Sequence, residues 1–173
     1  MAVASSMGSQ TLEGSIYNSI MSSPHEAGMR VAISQAMKSA DEVPVGAAIY
    51  DGEGNLLSVA HNTRESTYDP TGHAEILALK EASRSLGSWR LEGSSIFISL
   101  EPCVMCAGAI RNARVSFVTF GAYNPLGAAG SLYDILRDRR LGSVPEITSG
   151  VLKQECERLT HNFFASKRDG ARQ

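Results

Sequence analysis

Cysteine is scarce. The three that occur among 173 residues, Cys103, Cys106 and Cys156, are too few and too unevenly placed for a disulfide framework, which fits a reducing cytoplasm. Long apolar runs are absent too: the stretches around Val43 to Ile49 and Ser94 to Leu100 fall well short of the roughly 20 residues that a membrane-spanning helix needs. A basic excess is also missing. The formal net charge of -2 excludes nucleic-acid binding driven by bulk charge, because that mode relies on a surplus of Lys and Arg to release counterions from phosphates. It leaves room for a local basic patch. Met1 to Ser22 lacks the basic start and apolar centre of a signal peptide, and its small polar residues predict a disordered leader, with Met7 or Met21 as alternative translation starts. No internal repeat is found.

What the chain does have is 43% hydrophobic residues, enough for one well-buried core in a length too short for two ordinary domains. Residues 23–173 are therefore expected to form a single domain. Ser23-Pro24-His25-Glu26 supplies a cap, a proline at the first helical position and an early acid. The helix it opens runs to about Ser39, with Met29, Ala32, Ile33, Ala36 and Met37 on one face. Val43 to Tyr50 reads as a buried strand, Asp51 to Asn55 as a turn, and the following residues to about Asn62 as the second arm of a hairpin. Helices are expected over His73 to Leu86, Cys103 to Ala113 and Leu152 to Phe164. Strands are expected over Ser94 to Leu100, Val115 to Gly121 and, briefly, Glu146 to Thr148. This alternation predicts a three-layer α/β/α fold around a central mixed five-stranded sheet.

Two short strings carry the chemistry: His73-Ala74-Glu75 and Pro102-Cys103-Val104-Met105-Cys106. Each opens a predicted helix, where unpaired N–H groups and the positive end of the dipole favour thiolates, the form in which cysteine binds metal. Cys103 and Cys106, three apart, project to one side and can chelate a single ion. With His73 as the third ligand the set is one imidazole and two thiolates, suited to tetrahedral Zn2+ with a fourth position left for water. Glu75, two residues beyond His73, is placed beside that water as a general base. Taken alone, the Cys-x-x-Cys pair also fits a redox couple or half of a structural zinc site, and Glu75 alone fits a solvated acid in a first helical turn.

From about His25 onward the chain resembles bacterial tRNA-specific adenosine deaminases of the cytidine and deoxycytidylate deaminase superfamily. The resemblance rests on Glu42 to Ala47, His61-Asn62, Asp69 to Ile76, Leu100 to Ile110, Phe120 to Ala122, Gly127 to Ser131 and Phe163-Phe164, with Leu100 to Ile110 the most specific run. It implies a cytidine-deaminase-like fold and hydrolysis of adenosine to inosine at the wobble position of a tRNA anticodon by a zinc-activated water. A cytoplasmic homodimer with one zinc per subunit is implied as well. By the same resemblance, Asn62 hydrogen-bonds the flipped base, Val45, Ala74 and Pro102 wall its pocket, and Asn124 meets the nucleotide. Phe163 and Phe164 pack among the splayed anticodon bases, one facing inward and one available to RNA.

Three positions depart from the pattern. The loop Tyr123 to Gly127 is short, with Asn124 where an acid is common; Gly142-Ser143-Val144 replaces a more polar string; and Gly72 stands where alanine is frequent. Arg137, Arg139, Arg140, Lys167, Arg168 and Arg172 are candidate phosphate contacts, or simply a solvated surface. His25, His61 and His161 are read as ordinary surface or packing residues, and Cys156 as a small core residue. Two other functions use the same strings: deamination of a free guanine- or cytosine-type base or nucleoside, and a noncatalytic zinc-stabilised RNA-binding subunit.

Overall fold

The computed structural model describes residues 23–170; the leader expected over Met1 to Ser22 and the basic residue Arg172 lie outside the described residues. Helix α1 (Pro24–Ala36) starts as its sequence dictates, with the Ser23 hydroxyl accepting the Glu26 amide at 3.3 Å. Its end comes before Ser39, because Lys38 and Ser39 bond three residues back to Gln35 and Ala36 and so tighten the last turn. The hairpin β1 (Gly46–Tyr50) and β2 (Leu56–His61) turns on Asp51, whose carboxylate accepts the amides of Glu53 and Asn55 at 2.9 and 2.8 Å.

Strand β1 begins at Gly46, three residues later than the apolar run implies. Pro44 has no amide to offer a ladder, and the Val45 amide folds back onto the Val43 carbonyl at 2.9 Å. Gly46 lies so close beneath α1 that a Cβ there would collide with the Ala32 carbonyl. Only glycine fits at that crossing.

After α2 (Ala74–Leu86), which stops at Gly87 in a left-handed conformation, come β3 (Ser95–Leu100), α3 (Val104–Asn112), β4 (Phe117–Ala122), β5 (Glu146–Ser149) and α4 (Lys153–Gly170). Helix α4 runs past the expected end at Phe164, since no helix-breaking residue intervenes before Gly170. The sheet order is β2-β1-β3-β4-β5, with β1 antiparallel to both neighbours and β3, β4 and β5 parallel. This is the mixed five-stranded sheet the sequence predicts.

Alternation along β3 divides the core in two. Ile96 and Ile98 join Ala78, Leu79, Ala107 and Ile110 under α2 and α3, while Phe97 joins Met29, Ala32 and Cys156 under α1 and α4. His25, although exposed, packs against this second layer: its Nδ1 lies 3.2 Å from the Thr119 hydroxyl and its ring meets the edge of Phe97. Because β1 is antiparallel to β2 and β3, its start lies beside the ends of both, with Gly46 opposite His61 and Ala47 opposite Ile98. The ends of β2, β3, β4 and β5 and the start of β1 thus share one edge of the sheet. In open α/β sheets, the crevice outside the carboxyl ends of the parallel strands is where ligands bind.

Candidate metal centre and cavity

His73 and Cys103 occupy equivalent places, each the residue that precedes the first turn of its helix, α2 or α3. Neither side chain caps its own helix. That duty falls elsewhere for α2: Asn62, at the end of β2, accepts the Ala74 amide on Oδ1 at 2.9 Å and donates from Nδ2 to the Val43 carbonyl at 2.9 Å. The side chain of His73 is thereby left to turn toward α3. Its Nδ1 lies 3.8 Å from Cys103 Sγ and 3.6 Å from Cys106 Sγ, and the three ligand atoms lie within 4.8 Å of one another.

These separations fit zinc. An ion about 2.3 Å from sulfur and about 2.0 Å from nitrogen, at tetrahedral angles, requires a nitrogen-to-sulfur edge of about 3.5 Å. Among the described residues the cluster holds these three and no fourth ligand. Glu75 stands outside it but lines the same cavity as His73 and Cys103.

The electrostatics of the four groups are interlocked. Cys103 is brought down to about 4 by the hydrogen bond from the Cys106 thiol and then by His73, against the effect of its burial. Cys106 moves up, because it is the donor in that bond and because it is buried. His73 is raised by its bond to Cys103. Glu75, with 3% of its surface exposed, is raised chiefly by desolvation, and the negative charge of Cys103 adds to the effect. A buried carboxylate of raised pKa beside a metal-ligand cluster is suited to accepting and returning a proton.

The cluster opens into a cavity of about 760 Å3, within the range for sites that enclose a drug-sized ligand. Val45, Asn62, Asn124, Phe163 and Phe164 line it. Ala74 and Pro102 are not among the lining residues; both are wholly buried, Ala74 in the core and Pro102 with its carbonyl accepting the Ala128 amide at 2.8 Å. Asn124 is tied into its own loop, its Oδ1 accepting the Leu126 amide at 3.0 Å and its Nδ2 donating to the Glu101 carbonyl at 3.4 Å. Phe163 is half-buried, Phe164 is half-exposed, and their rings meet edge to face. Of the basic residues, Lys167 lines the cavity, whereas Arg137 and Arg140 do not and pair locally with Asp134 and Asp138.

A family model described as the cytidine and deoxycytidylate deaminase zinc-binding region matches residues 22–122, a span that contains His73, Glu75, Cys103 and Cys106. The chain belongs to this deaminase family. Among deaminase relatives, the tRNA-specific adenosine deaminase of Bacillus subtilis strain 168 is 42% identical over 146 residues, which cover 83% of this chain and 90% of that protein. A solved tRNA:A34 deaminase, described as carrying out A-to-I editing at the wobble position of transfer RNA, superposes with a TM-score of 0.74 at 32% identity, covering 77% of this chain and 98% of its own. A solved guanine deaminase from Bacillus subtilis is similar at a TM-score of 0.56 and 32% identity, covering 64% of this chain and 71% of its own.

Two acids within the runs that carry the resemblance hold this deaminase site together in a way that the motifs themselves do not reveal. Glu101 is 1% exposed, and its carboxylate accepts the amides of Asn124, Ala129 and Ser131 at 3.2, 3.0 and 3.0 Å together with the Ser131 hydroxyl. Gly127 packs directly on that carboxylate and bridges to Cys103, so the loop after β4 is fastened beside the ligand cluster. Glu42, 6% exposed, accepts the amides of Glu65 and Ser66 at 3.1 and 2.8 Å and fixes the loop between β2 and α2. Burial alone would raise the Glu42 carboxyl, but the bonds from Ser66 and Glu65, with Arg64 nearby, hold it below its ordinary value. An acid beside Pro102 and Cys103 is the one sequence hint for Glu101; nothing local marks its partners up to 30 residues away.

Proposed function

We propose that the chain hydrolyses adenosine at the wobble position of a tRNA anticodon, releasing ammonia and leaving inosine. The observation that carries this reading is the convergence of His73, Cys103 and Cys106, with the buried carboxylate of Glu75 beside them, at one cavity in a chain of this family. The relatives point to a nucleotide within RNA as the substrate. A cavity lined by Tyr123, Leu126, Phe163 and Phe164 agrees, since unstacked bases are held by aromatic and apolar faces.

His73, Cys103 and Cys106 would hold one zinc ion, whose Lewis acidity would let a water lose its proton near neutral pH. Glu75 accepts that proton on its carboxylate as the oxygen attacks the ring carbon bearing the amino group. It passes that proton to the ring nitrogen, then takes the remaining proton of the attacking oxygen and hands it to the departing amine, so that ammonia leaves, the ring carbon keeps the oxygen as a carbonyl and the carboxylate is restored. The raised pKa of Glu75 brings it nearer the working pH and eases both transfers. Asn62 keeps a second Nδ2 proton beyond the one it gives to Val43, and that proton is the group by which it would recognise the base. Val45 walls the pocket, and Phe163 and Phe164 receive neighbouring anticodon bases.

The same reading takes residues 23–173 as one deaminase domain that works as a homodimer in the cytoplasm. The unpaired state of all three cysteines supports a reducing compartment, and no helix among the described residues is long and apolar enough to cross a membrane. The test is to incubate zinc-loaded protein with unmodified tRNA and, separately, with adenosine, adenine, guanine and cytidine, following inosine and ammonia. Inosine in tRNA is the expected product. Ammonia released only from a free base would replace this reading with that of a small-molecule deaminase.

A further inference from the structure

An enzyme that draws one nucleotide into a pocket leaves the bases on either side of it without a stacking partner. The Phe163-Phe164 pair on α4 supplies one aromatic surface at the cavity. The cavity has a second one, on a different element. Tyr123 follows β4 directly and keeps 49% of its surface exposed, yet it is held on several sides. Its hydroxyl donates to Ser149 Oγ at 3.1 Å, at the end of β5, and its ring stands edge to face on the fully buried Phe120, centroid to centroid 5.5 Å. The Lys153 ammonium lies 5.4 Å from the ring centroid and 3.6 Å from the Glu157 carboxylate, so it covers part of the tyrosine while staying tethered to α4.

The backbone beneath this ring is equally constrained. Asn124, the next residue, donates its amide to Glu101 and closes its side chain onto Leu126, and Pro125 fixes the step between them. The result is an aromatic surface with little freedom left to lose, set at the rim of a cavity whose interior holds the ligand cluster. Pre-organisation of this kind lowers the cost of binding. Free tyrosine side chains at a surface have neither a fixed hydroxyl nor a braced ring edge.

We propose that Tyr123 is a substrate-binding residue: its exposed ring surface stacks on a base adjacent to the deaminated adenosine, with the Lys153 ammonium adding attraction for the RNA backbone. This rests on the reading of an RNA substrate given above. Its occupant is a nucleobase next to the target, and base-on-aromatic stacking is worth enough to move affinity by about five-fold to a hundred-fold.

The experiment uses the zinc-loaded full chain and anticodon stem-loop RNAs, one intact and two with an abasic site, immediately 5′ or 3′ of the adenosine. Direct titration gives Kd for each RNA, and initial rates of inosine formation give KM and kcat. On the intact RNA, Tyr123→Ala should weaken Kd and raise KM about ten-fold or more with kcat nearly unchanged, while Tyr123→Phe, which keeps the ring on Phe120 but gives up the bond to Ser149, should lose only a small part of that affinity. On one of the abasic RNAs wild type should already show the weakening, and Tyr123→Ala should add nothing to it. Melting curves and zinc content of each variant separate loss of fold from loss of contact. Equal Kd for wild type and Tyr123→Ala on intact RNA, or the same loss on all three RNAs, would overturn the proposal. Absence of inosine from wild type while the Kd pattern holds would count against the wobble-editing reading and leave the tyrosine platform standing; absence of RNA binding would end both.

Discussion

The Oδ1 of Asn62 accepts the backbone amide of Ala74 at 2.9 Å, which joins the first residue after β2 to the first turn of the helix that presents His73 and Glu75. Since Nδ2 of the same Asn62 side chain donates to the Val43 carbonyl at 2.9 Å, one side chain links three segments beside the site. Asn62→Ala therefore strands the helix-start amide of Ala74 and leaves the Val43 carbonyl with the Val45 amide alone, and should cost about 1–3 kcal/mol, equivalent to a fall in Tm of roughly 3–10 °C for a domain of this size. Thermal melting measures this. An unchanged Tm would mean that Asn62 serves the substrate alone.

Glu101 fastens residues 124–131 by four accepted hydrogen bonds from inside the protein. Replacing it with alanine leaves those donors competing for no buried acceptor and should destabilise the fold by about 3 kcal/mol or more. Hydrogen exchange should report the loss first in the amides of Asn124, Ala129 and Ser131. Protection that falls evenly over the whole chain, with no excess there, would contradict the assigned role.

Acid titration should register the Glu42 carboxylate. Its folded carboxyl lies below the ordinary value of 4.5, so its stabilising contribution is complete above that value and disappears as pH falls through the lowered one. Glu42→Gln should be less stable than wild type at neutral pH, and the gap should narrow as pH falls below 4.5. Urea midpoints across that range check the sign. A gap that stays constant or widens toward acid would show that the carboxylate charge is not what the Glu65 and Ser66 amides recognise.

How much of this could be read from the chain depends on how far apart the interacting residues lie. Helix starts at Ser23 and the turn at Asp51 are local, and their bonds span two to four residues. The ligand set was legible because a Cys-x-x-Cys pair and a His-x-Glu pair are each short enough to form one helical turn, even though their meeting is a matter of topology. Strand β1 started late because Pro44 interrupts an otherwise uniform apolar run. The two acids fall inside runs that carry the resemblance, yet what Glu101, Glu42 and the Tyr123 hydroxyl do stayed hidden, because their hydrogen-bond partners lie more than 20 residues away and nothing local names them.

Metal removal should expose a graded set of thiols. In chelator-treated protein a thiol reagent should modify Cys103 first, because it is the thiolate of the pair, and Cys106 later. Cys156, pushed up to about 12 by burial against Gly121, should react only on unfolding. Mass spectrometry of labelled peptides gives the order, and early labelling of Cys156 would refute it.

The most direct test is the inosine formed in a tRNA anticodon stem-loop by Glu75→Gln protein whose zinc content has been measured in the same preparation. One zinc per chain with turnover reduced by about a hundred-fold to ten-thousand-fold is the expected result, because the ligands are intact while the proton carrier is gone. Turnover close to wild type in zinc-loaded Glu75→Gln would show that some other group moves the protons.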